Sequence, residues 1–163
     1  MENYFFYRRF CRMDSYDKKI LFILQRNADL PLSEISRRVG LSPTPCWNRI
    51  KKLEEEGVIL KKVTILNKEK LSLPVTVFLN ITVRTHNEDW GKKFNEILKR
   101  YNNILEAYRV TGSEADYVLK IVSESIEEYD KFQQVLIKNI QFNSMSSAIV
   151  LQELKLNYNL PIR

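Results

Sequence analysis

Apolar residues recur at helical spacing in three short segments near the start of the chain. This periodicity predicts three helices, the first beginning at Asp14 or Ser15 and the second with Ser33 as its cap. Ser42 followed by Pro43 predicts the start of the third, because serine caps a helix and proline fits its first position. The predicted inward stripes are Ile20, Leu21, Ile23, Leu24 and Ala28; Ile35 and Val39; and Cys46, Ile50 and Leu53.

The third predicted helix carries polar and basic side chains opposite its apolar stripe, namely Thr44, Asn48, Lys51 and Lys52. A helix that reads DNA needs such side chains, with cations beside them for phosphates, and Arg49, Lys61 and Lys62 supply those. Trp47, on the flank, either braces the helix or touches a sugar. The plainer alternative is an amphipathic helix whose charged face is only solvated. Because residues 58–66 alternate like a basic strand pair, the whole pattern predicts a winged helix-turn-helix.

A different pattern starts at Pro74, where strands of period two begin to alternate with helical stripes. The predicted elements are a strand at 75–83, a helix at 88–101, strands at 104–111 and 116–122, a helix at 125–139 and a strand at 146–156. The order β-α-β-β-α-β is that of the ferredoxin-like arrangement, so the predicted fold class is α+β. The predicted domains are an extension at 1–13, the winged helix-turn-helix at 14–62, a linker at 63–74 and a second domain at 75–163.

Charge and composition limit the classes of function that the sequence allows. The 163 residues carry a net charge of +6, and residues 14–63 hold ten basic and seven acidic side chains, which suggests a polyanionic partner for this part. One histidine, two cysteines without metal-ligand spacing and no phosphate-cradling glycine loop speak against an enzyme, a metal site or a cofactor. No apolar run approaches the roughly 18 residues of a membrane-spanning helix, so we expect a cytoplasmic protein.

The turn TGSEADY, at residues 111–117, joins two of the predicted strands. A plain β-turn that needs Gly112 explains it. Alternatively, backbone N–H groups near Gly112 bind a carboxylate while Asp116 accepts from an ammonium group, which together suit a zwitterionic amino acid. Both interpretations stay open at this point.

Two segments carry a resemblance to a known family: SEISRRVGLSPTPCWNRIKKLEEEGVI at 33–59 and GSEADYVLK at 112–120. Over about residues 14–158 the chain resembles the Lrp/AsnC, or leucine-responsive, transcriptional regulators. The resemblance implies a winged helix-turn-helix joined by a hinge to an αβ-sandwich effector domain that dimerises through its sheets and often forms tetramers or octamers. It also implies control of amino-acid metabolism genes, or of the protein's own gene, in response to a small amino acid.

The resemblance also implies site residues. The DNA-contacting segment of the family maps onto Ser42, Thr44, Asn48, Arg49 and Lys52, to which the helix pattern adds Lys51, Lys61 and Lys62. The effector turn maps onto Gly112, Ser113 and Asp116, with the facing strand at Ala148, Ile149 and Val150.

Three features depart from the family pattern. Gly112 and Asp116 are separated by three residues where the family has two, and Met145 and Ser147 stand where Thr-x-Thr is common. The first departure changes the expected geometry of the pocket, and the second alters or abolishes the expected effector preference. Residues 1–12 precede Met13, where the family chain is expected to begin, so they are either an over-extended start or a basic aromatic arm that touches DNA or a neighbouring subunit.

The sequence therefore predicts an oligomeric regulator that binds double-stranded DNA, an amino-acid ligand and a second copy of itself. The alternative is an architectural protein that coats or bends DNA with weak sequence preference.

Overall fold

The computed structural model describes residues 12–84, 87–112 and 114–162. Its contacts divide the chain into two compact units, one of residues up to 65 together with residues from 155 onwards, and one of residues 66–154. The sequence places residues 155–162 in the second domain, whereas their contacts group them with the first unit. Among the described residues, no helix is both long and apolar enough to cross a membrane.

The first unit is built on three helices, α1 (Ser15–Leu24), α2 (Leu32–Val39) and α3 (Pro43–Glu55). Their inward stripes form one buried cluster, which confirms most of the predicted core positions. The buried members are Ile20, Leu24, Ile35, Val39, Cys46, Ile50 and Leu53. Ala28 lies beyond the end of α1 and is only half-buried.

Local sequence explains where these helices begin and end. Asp14 caps α1, and its carboxylate accepts from the backbone N–H of Asp17, whose own side chain accepts from the N–H of Asp14. Ser42 is the N-cap of α3 and Pro43 its first residue, as predicted. Gly40 ends α2 with φ of 80°, a left-handed conformation that glycine adopts without strain.

The prediction that Ser33 caps α2 is wrong. The helix begins at Leu32, and its N-cap is Pro31, two residues before Ser33. The Pro31 carbonyl accepts from the N–H groups of Glu34 and Ile35, so the proline, with its fixed φ, already closes the first turn.

Residues 58–66 form no strand in the described chain, so the predicted basic strand pair is wrong there. The N–H groups of Val58 and Ile59 both donate to the Leu53 carbonyl and so close the end of α3. Beyond them the chain up to residue 66 is exposed and forms no regular element, and Leu60 and Val63 lie largely in solvent.

The second unit contains a four-stranded antiparallel sheet in the order β2-β3-β1-β4. Its elements, after a 3-10 turn at Glu69–Leu71, are β1 (Val75–Thr82), α4 (Glu88–Arg100), β2 (Ile104–Arg109), β3 (Tyr117–Ser123), α5 (Ile126–Asn139) and β4 (Ser144–Ile149). The predicted order β-α-β-β-α-β is therefore confirmed.

One face of the sheet packs on both helices. Alternate residues of β1 and β3 meet the apolar stripes of α4 and α5. The buried residues of this core are Val77, Leu79, Ile81, Trp90, Phe94, Ile97, Leu119, Ile121, Tyr129, Phe132, Leu136 and Ile140.

The last strand is shorter than predicted, because it ends at Ile149 rather than at residue 156. The Val150 N–H still donates to the Thr76 carbonyl. Beyond Thr76, β1 extends only to its first residue, Val75, and the preceding Pro74 has no N–H to donate. Since β4 is an edge strand, residues 151–156 have no ladder partner in the described sheet.

Candidate nucleic-acid interface and effector turn

The helix α3 separates an anchoring face from a polar face. Cys46, Ile50 and Leu53 are 0%, 8% and 2% exposed and fix the helix in the core of its unit. The predicted reading residues Thr44, Asn48, Lys51 and Lys52 are all exposed. The structure therefore brings these four together on one solvent-facing surface, which we call the α3 outer face.

The N-terminal end of α3 offers an anion one backbone donor, the Thr44 N–H, because Pro43 and Pro45 have no N–H and the Cys46 N–H donates to the Ser42 carbonyl. Ser42 is exposed at the N-cap and makes no side-chain capping bond, so its hydroxyl can turn towards a ligand. The first turn holds no acidic side chain that would repel a phosphate.

Trp47 is 49% exposed, and the Lys51 ammonium lies 5.7 Å from the centre of its ring. Of the two predicted roles, this exposure favours contact with a partner over bracing of the helix. An indole held beside a cation on the same helix can pack on a sugar while the ammonium binds the adjacent phosphate.

Arg49 has a different environment from its neighbours. Its Nη1 atom lies 2.7 Å from Asp14 Oδ2 and 2.8 Å from Asp17 Oδ1, so the guanidinium joins α3 to α1. These carboxylates raise the pKa of Arg49. The N–H of Asp17 and then the Arg49 guanidinium hold the pKa of Asp14 below its ordinary value of 3.8.

The lysines near the end of α3 stand beside the acidic run of the same helix. Lys62 Nζ lies 3.2 Å from Glu54, and Lys52 Nζ lies 3.8 Å from Glu56. Lys61 is exposed on the segment that follows. These pairs are exposed and therefore weak, so the lysines can exchange their carboxylate partners for phosphates at little cost.

In the effector turn, Asp116 is bound to the ends of two strands. Its Oδ2 accepts from the Val83 N–H at 2.7 Å, its N–H donates to the Ile81 carbonyl, and its carbonyl accepts from the Val110 N–H. The carboxylate is thus held at one end of the sheet.

Gly112 lies exposed in the same turn, and an added Cβ would meet no atom within 4 Å. A larger side chain would therefore fit at this position, and the backbone does not adopt a positive φ that would favour glycine. Ser113, the third predicted residue of the turn, lies outside the described residues.

Within one subunit the structure does not bring the turn together with the predicted facing strand. The Val150 N–H donates to the Thr76 carbonyl, whereas the Asp116 N–H donates to the Ile81 carbonyl, five residues further along β1. At about 3.3 Å per residue this separates them by roughly 17 Å along the strand, and β1 lies between them. Ala148 and Ile149 are exposed on the edge strand β4, so a pocket that joins both sets requires a second subunit.

An open cavity of about 730 Å³ adjoins the end of β1. Arg84 and Asn87 line it, together with Trp90 and residues that precede and begin β4. Arg84 directly follows Val83, whose N–H donates to the Asp116 carboxylate. The sequence reasoning missed Arg84, because a single arginine between a strand and a helix gives no pattern. Among the described residues, no cluster of histidine, cysteine and acidic side chains could hold a metal ion.

Comparison with known proteins agrees with the fold of both units. Residues 13–59 match the family model of the winged helix-turn-helix DNA-binding domain, and residues 76–160 match that of the Lrp/AsnC ligand binding domain. The chain is 37% identical over 151 residues to the glutamate uptake regulatory protein of Zymomonas mobilis, covering 93% of this chain and 92% of the relative.

Two solved structures are also similar over nearly the whole chain. An AsnC family transcriptional regulator from Agrobacterium tumefaciens is 40% identical with a TM-score of 0.86, covering 91% of this chain and 97% of that one. A transcriptional regulator from Neisseria meningitidis in complex with L-Met is 31% identical with a TM-score of 0.87, covering 91% and 96%.

Proposed function

The chain belongs to the Lrp/AsnC family of transcriptional regulators, and we propose that it binds a specific DNA sequence through the α3 outer face and responds to a small amino acid. The observation that carries this proposal is the exposure of Thr44, Asn48 and Lys52 on a helix whose opposite side is fully anchored. A solvated amphipathic helix needs no such N-terminal group of uncharged polar side chains, whereas base readout does.

We divide the predicted DNA-binding residues into three roles. Thr44 and Asn48 lie where they can meet base edges, and Asn48 can read adenine through two hydrogen bonds. The phosphate-binding group comprises Ser42, Lys51, Lys52, Lys61 and Lys62. Arg49 positions the helix, because its guanidinium is bound to Asp14 and Asp17 on α1.

The amino-acid site is proposed at the β2–β3 turn. Asp116 accepts the ammonium group, and the backbone near Gly112 and Ser113 binds the carboxylate. Ala148, Ile149 and Val150 complete the site only from a neighbouring subunit, since in one subunit they lie at the opposite edge and towards the other end of the sheet. The solved relative from Neisseria meningitidis contains L-Met, which supports a small amino acid as the class of effector.

A homodimer is the smallest assembly that fits these sites. The segment at 60–66 exposes four apolar side chains that a second copy can cover, each at least 63% accessible: Leu60, Val63, Ile65 and Leu66. In such a dimer two recognition helices would stand about one duplex turn, roughly 34 Å, apart and read a symmetric operator.

Fluorescence anisotropy tests the function directly. The full chain is titrated with its own upstream duplex and with a scrambled duplex, at several salt concentrations, with and without a pool of amino acids. We expect tighter binding to the upstream duplex, a steep loss of affinity with salt, and a shift on addition of the pool. Equal affinity for both duplexes at every salt concentration would instead favour the architectural role.

A further inference from the structure

The first unit has a second basic surface that the proposed DNA contacts do not use. An open cavity of about 480 Å³ lies over α1 and is lined by Lys18, Lys19, Phe22, Ile23, Arg38 and Ile162. Three of these side chains are cationic, three are apolar, and none is acidic. The volume falls within the usual range of small-molecule sites, about 300–1,000 Å³.

The cavity lies on the side of α1 that points away from α3. Phe22 is two residues from Ile20 and two from Leu24, which places it about 200° round the helix from each. Ile20 and Leu24 are buried in the same cluster as Ile50 and Leu53 of α3. A duplex bound to the α3 outer face is therefore separated from this cavity by the core of the unit.

One wall of the cavity is the C-terminal segment. The side chain of Gln25 donates to the Leu160 carbonyl at 3.2 Å and accepts from the Leu160 N–H at 2.9 Å, so both backbone groups of Leu160 are bound to α1. This reciprocal pair holds the segment on α1, and Ile162, two residues further, lines the cavity together with Phe22. Phe22 is itself fixed, since the Arg26 guanidinium lies 3.6 Å from its ring centre.

The charged side chains that line the cavity determine which class of ligand it can bind. Within the described residues, Lys18 and Lys19 make no ion pair, and the Lys19 ammonium lies 5.8 Å from the centre of the Tyr16 ring. No carboxylate therefore competes with an anion for these two ammonium groups. Arg38 donates to Glu34 at 2.6 Å, and this carboxylate offsets part of its charge. An α-ammonium group brought into the cavity would stand beside two unpaired cations without a lining carboxylate to receive it.

We propose that this cavity binds a small organic acid, a carboxylate with an apolar body and no ammonium group. The carboxylate meets Lys18 and Lys19, and the apolar body packs between Phe22, Ile23 and Ile162. The site therefore takes the deaminated counterpart of an apolar amino acid and rejects the amino acid itself. It is distinct in position and in charge selectivity from the proposed effector turn.

Isothermal titration of the full chain with hydrocinnamate tests the proposal. Hydrocinnamate is phenylalanine without its ammonium group, so the two compounds share the same carboxylate and ring. We expect one hydrocinnamate per chain with a Kd of about 1 mM or below, unchanged by saturating phenylalanine. Displacement by phenylalanine overturns the proposal, because the site would then accept the zwitterion.

Variants locate the binding. The double substitution Lys18→Gln, Lys19→Gln should weaken hydrocinnamate binding about tenfold or more, and Phe22→Ala should weaken it to a similar extent. The matched control Lys92→Gln, Lys93→Gln removes two adjacent exposed lysines from α4 and should leave the affinity unchanged. Equal weakening by the control overturns the proposal, since binding would then follow net charge alone.

Two further measurements separate this site from general anion binding and from DNA binding. Inorganic phosphate at the same concentration should not displace hydrocinnamate, and displacement would mean that the apolar body plays no part. Hydrocinnamate should bind with the same affinity to the complex with operator duplex. Loss of binding in that complex would show that the surface is a DNA contact instead. Unchanged operator affinity of the Lys18→Gln, Lys19→Gln variant confirms that it is folded.

Discussion

Arg49 Nη1 lies 2.8 Å from Asp17 Oδ1, and this ion pair joins α3 to α1. Asp17 is buried at 7% exposure, whereas the second partner of Arg49, Asp14, is exposed. The arginine is thus bound on the side of α3 that meets α1, and the other polar residues of the helix face solvent. We therefore propose that Arg49 acts in DNA binding by holding α3 in place.

This assignment predicts the behaviour of Arg49→Gln. The variant should lose about 1 kcal/mol of unfolding free energy, since it breaks a partly exposed ion pair at two carboxylates. Its affinity for operator should fall while the slope of affinity against salt stays that of the parent, because no phosphate contact is removed. Arg37→Gln, which removes an exposed arginine from α2, is the matched control for net charge. If the slope of affinity against salt fell by about one unit in Arg49→Gln but not in Arg37→Gln, Arg49 would instead be a phosphate contact.

Acid should destabilise the first unit partly through Asp14. Its pKa in the folded chain is held below 3.8 by the Asp17 N–H and by Arg49, so the unfolded chain binds its proton more readily. The stabilisation is therefore fully present above the unfolded pKa and is lost as pH falls through the folded one. Melting temperatures of the parent and of Asp14→Asn, measured from pH 7 to about pH 2, should differ at neutral pH and converge in acid. A constant difference over that range would contradict the assignment.

Two substitutions on the α3 outer face should have different consequences. Asn48→Ala should reduce discrimination between operator and scrambled duplex by about 1–3 kcal/mol, because a base contact is lost. Lys52→Ala should weaken binding to both duplexes alike and reduce the salt slope by about one unit. Anisotropy titrations over a salt series measure both quantities, and Lys92→Ala on α4 is the control. If both variants bound the two duplexes as the parent does, the α3 outer face would not be the surface that reads DNA.

The sequence predicted the cores well and the contacts between distant residues poorly. The stripe Cys46, Ile50, Leu53 follows from helical periodicity alone, and the structure buries all three. The bond of Arg49 to Asp14 spans 35 residues, and no local pattern indicates it. The same holds for Gln25 and Leu160, 135 residues apart, whose bonds place the C-terminal segment on α1.

The errors at strands have a common physical cause. Residues 58–66 and 150–156 both alternate like strands, yet a strand forms only where another one supplies hydrogen bonds. Neither segment has a ladder partner in the described chain beyond the single bond of Val150. Sequence alternation reports which side chains can pack on a sheet, and it contains no information on whether a neighbouring strand is present.

A clamp in the second unit provides another prediction. Lys68 Nζ lies 2.9 Å from Glu153 and 2.7 Å from the Thr76 hydroxyl, which itself belongs to a residue only 2% exposed. The chain enters this unit at residue 66 and leaves it at residue 154, so one ammonium group ties both ends. Lys68→Met should destabilise the unit by about 1–2 kcal/mol because the Thr76 hydroxyl loses its charged donor.

A double-mutant cycle isolates the ion-pair part of this clamp. Lys68→Glu and Glu153→Lys should each destabilise the unit, and the doubly exchanged variant should recover part of the loss in denaturant unfolding. The pair Lys92 and Glu88, exposed on α4, serves as a reference cycle with little coupling. If the coupling energy of Lys68 and Glu153 were no larger than that of the reference pair, the stabilisation would come from the hydrogen bond to Thr76 alone.

The amino-acid response is best tested with Asp116→Asn. The Asp116 carboxylate accepts from the Val83 N–H at 2.7 Å, so Asp116→Ala would also free the end of β1 and confuse binding with folding. An asparagine oxygen can keep that bond while the negative charge that receives an ammonium group is removed. We expect Asp116→Asn to bind operator like the parent in the absence of amino acids and to lose the shift that the amino-acid pool produces. Glu114→Gln, a neutral substitution of an exposed acid in the same turn, should respond normally. If Asp116→Asn responds at the same amino-acid concentration as the parent, the ammonium group is received elsewhere.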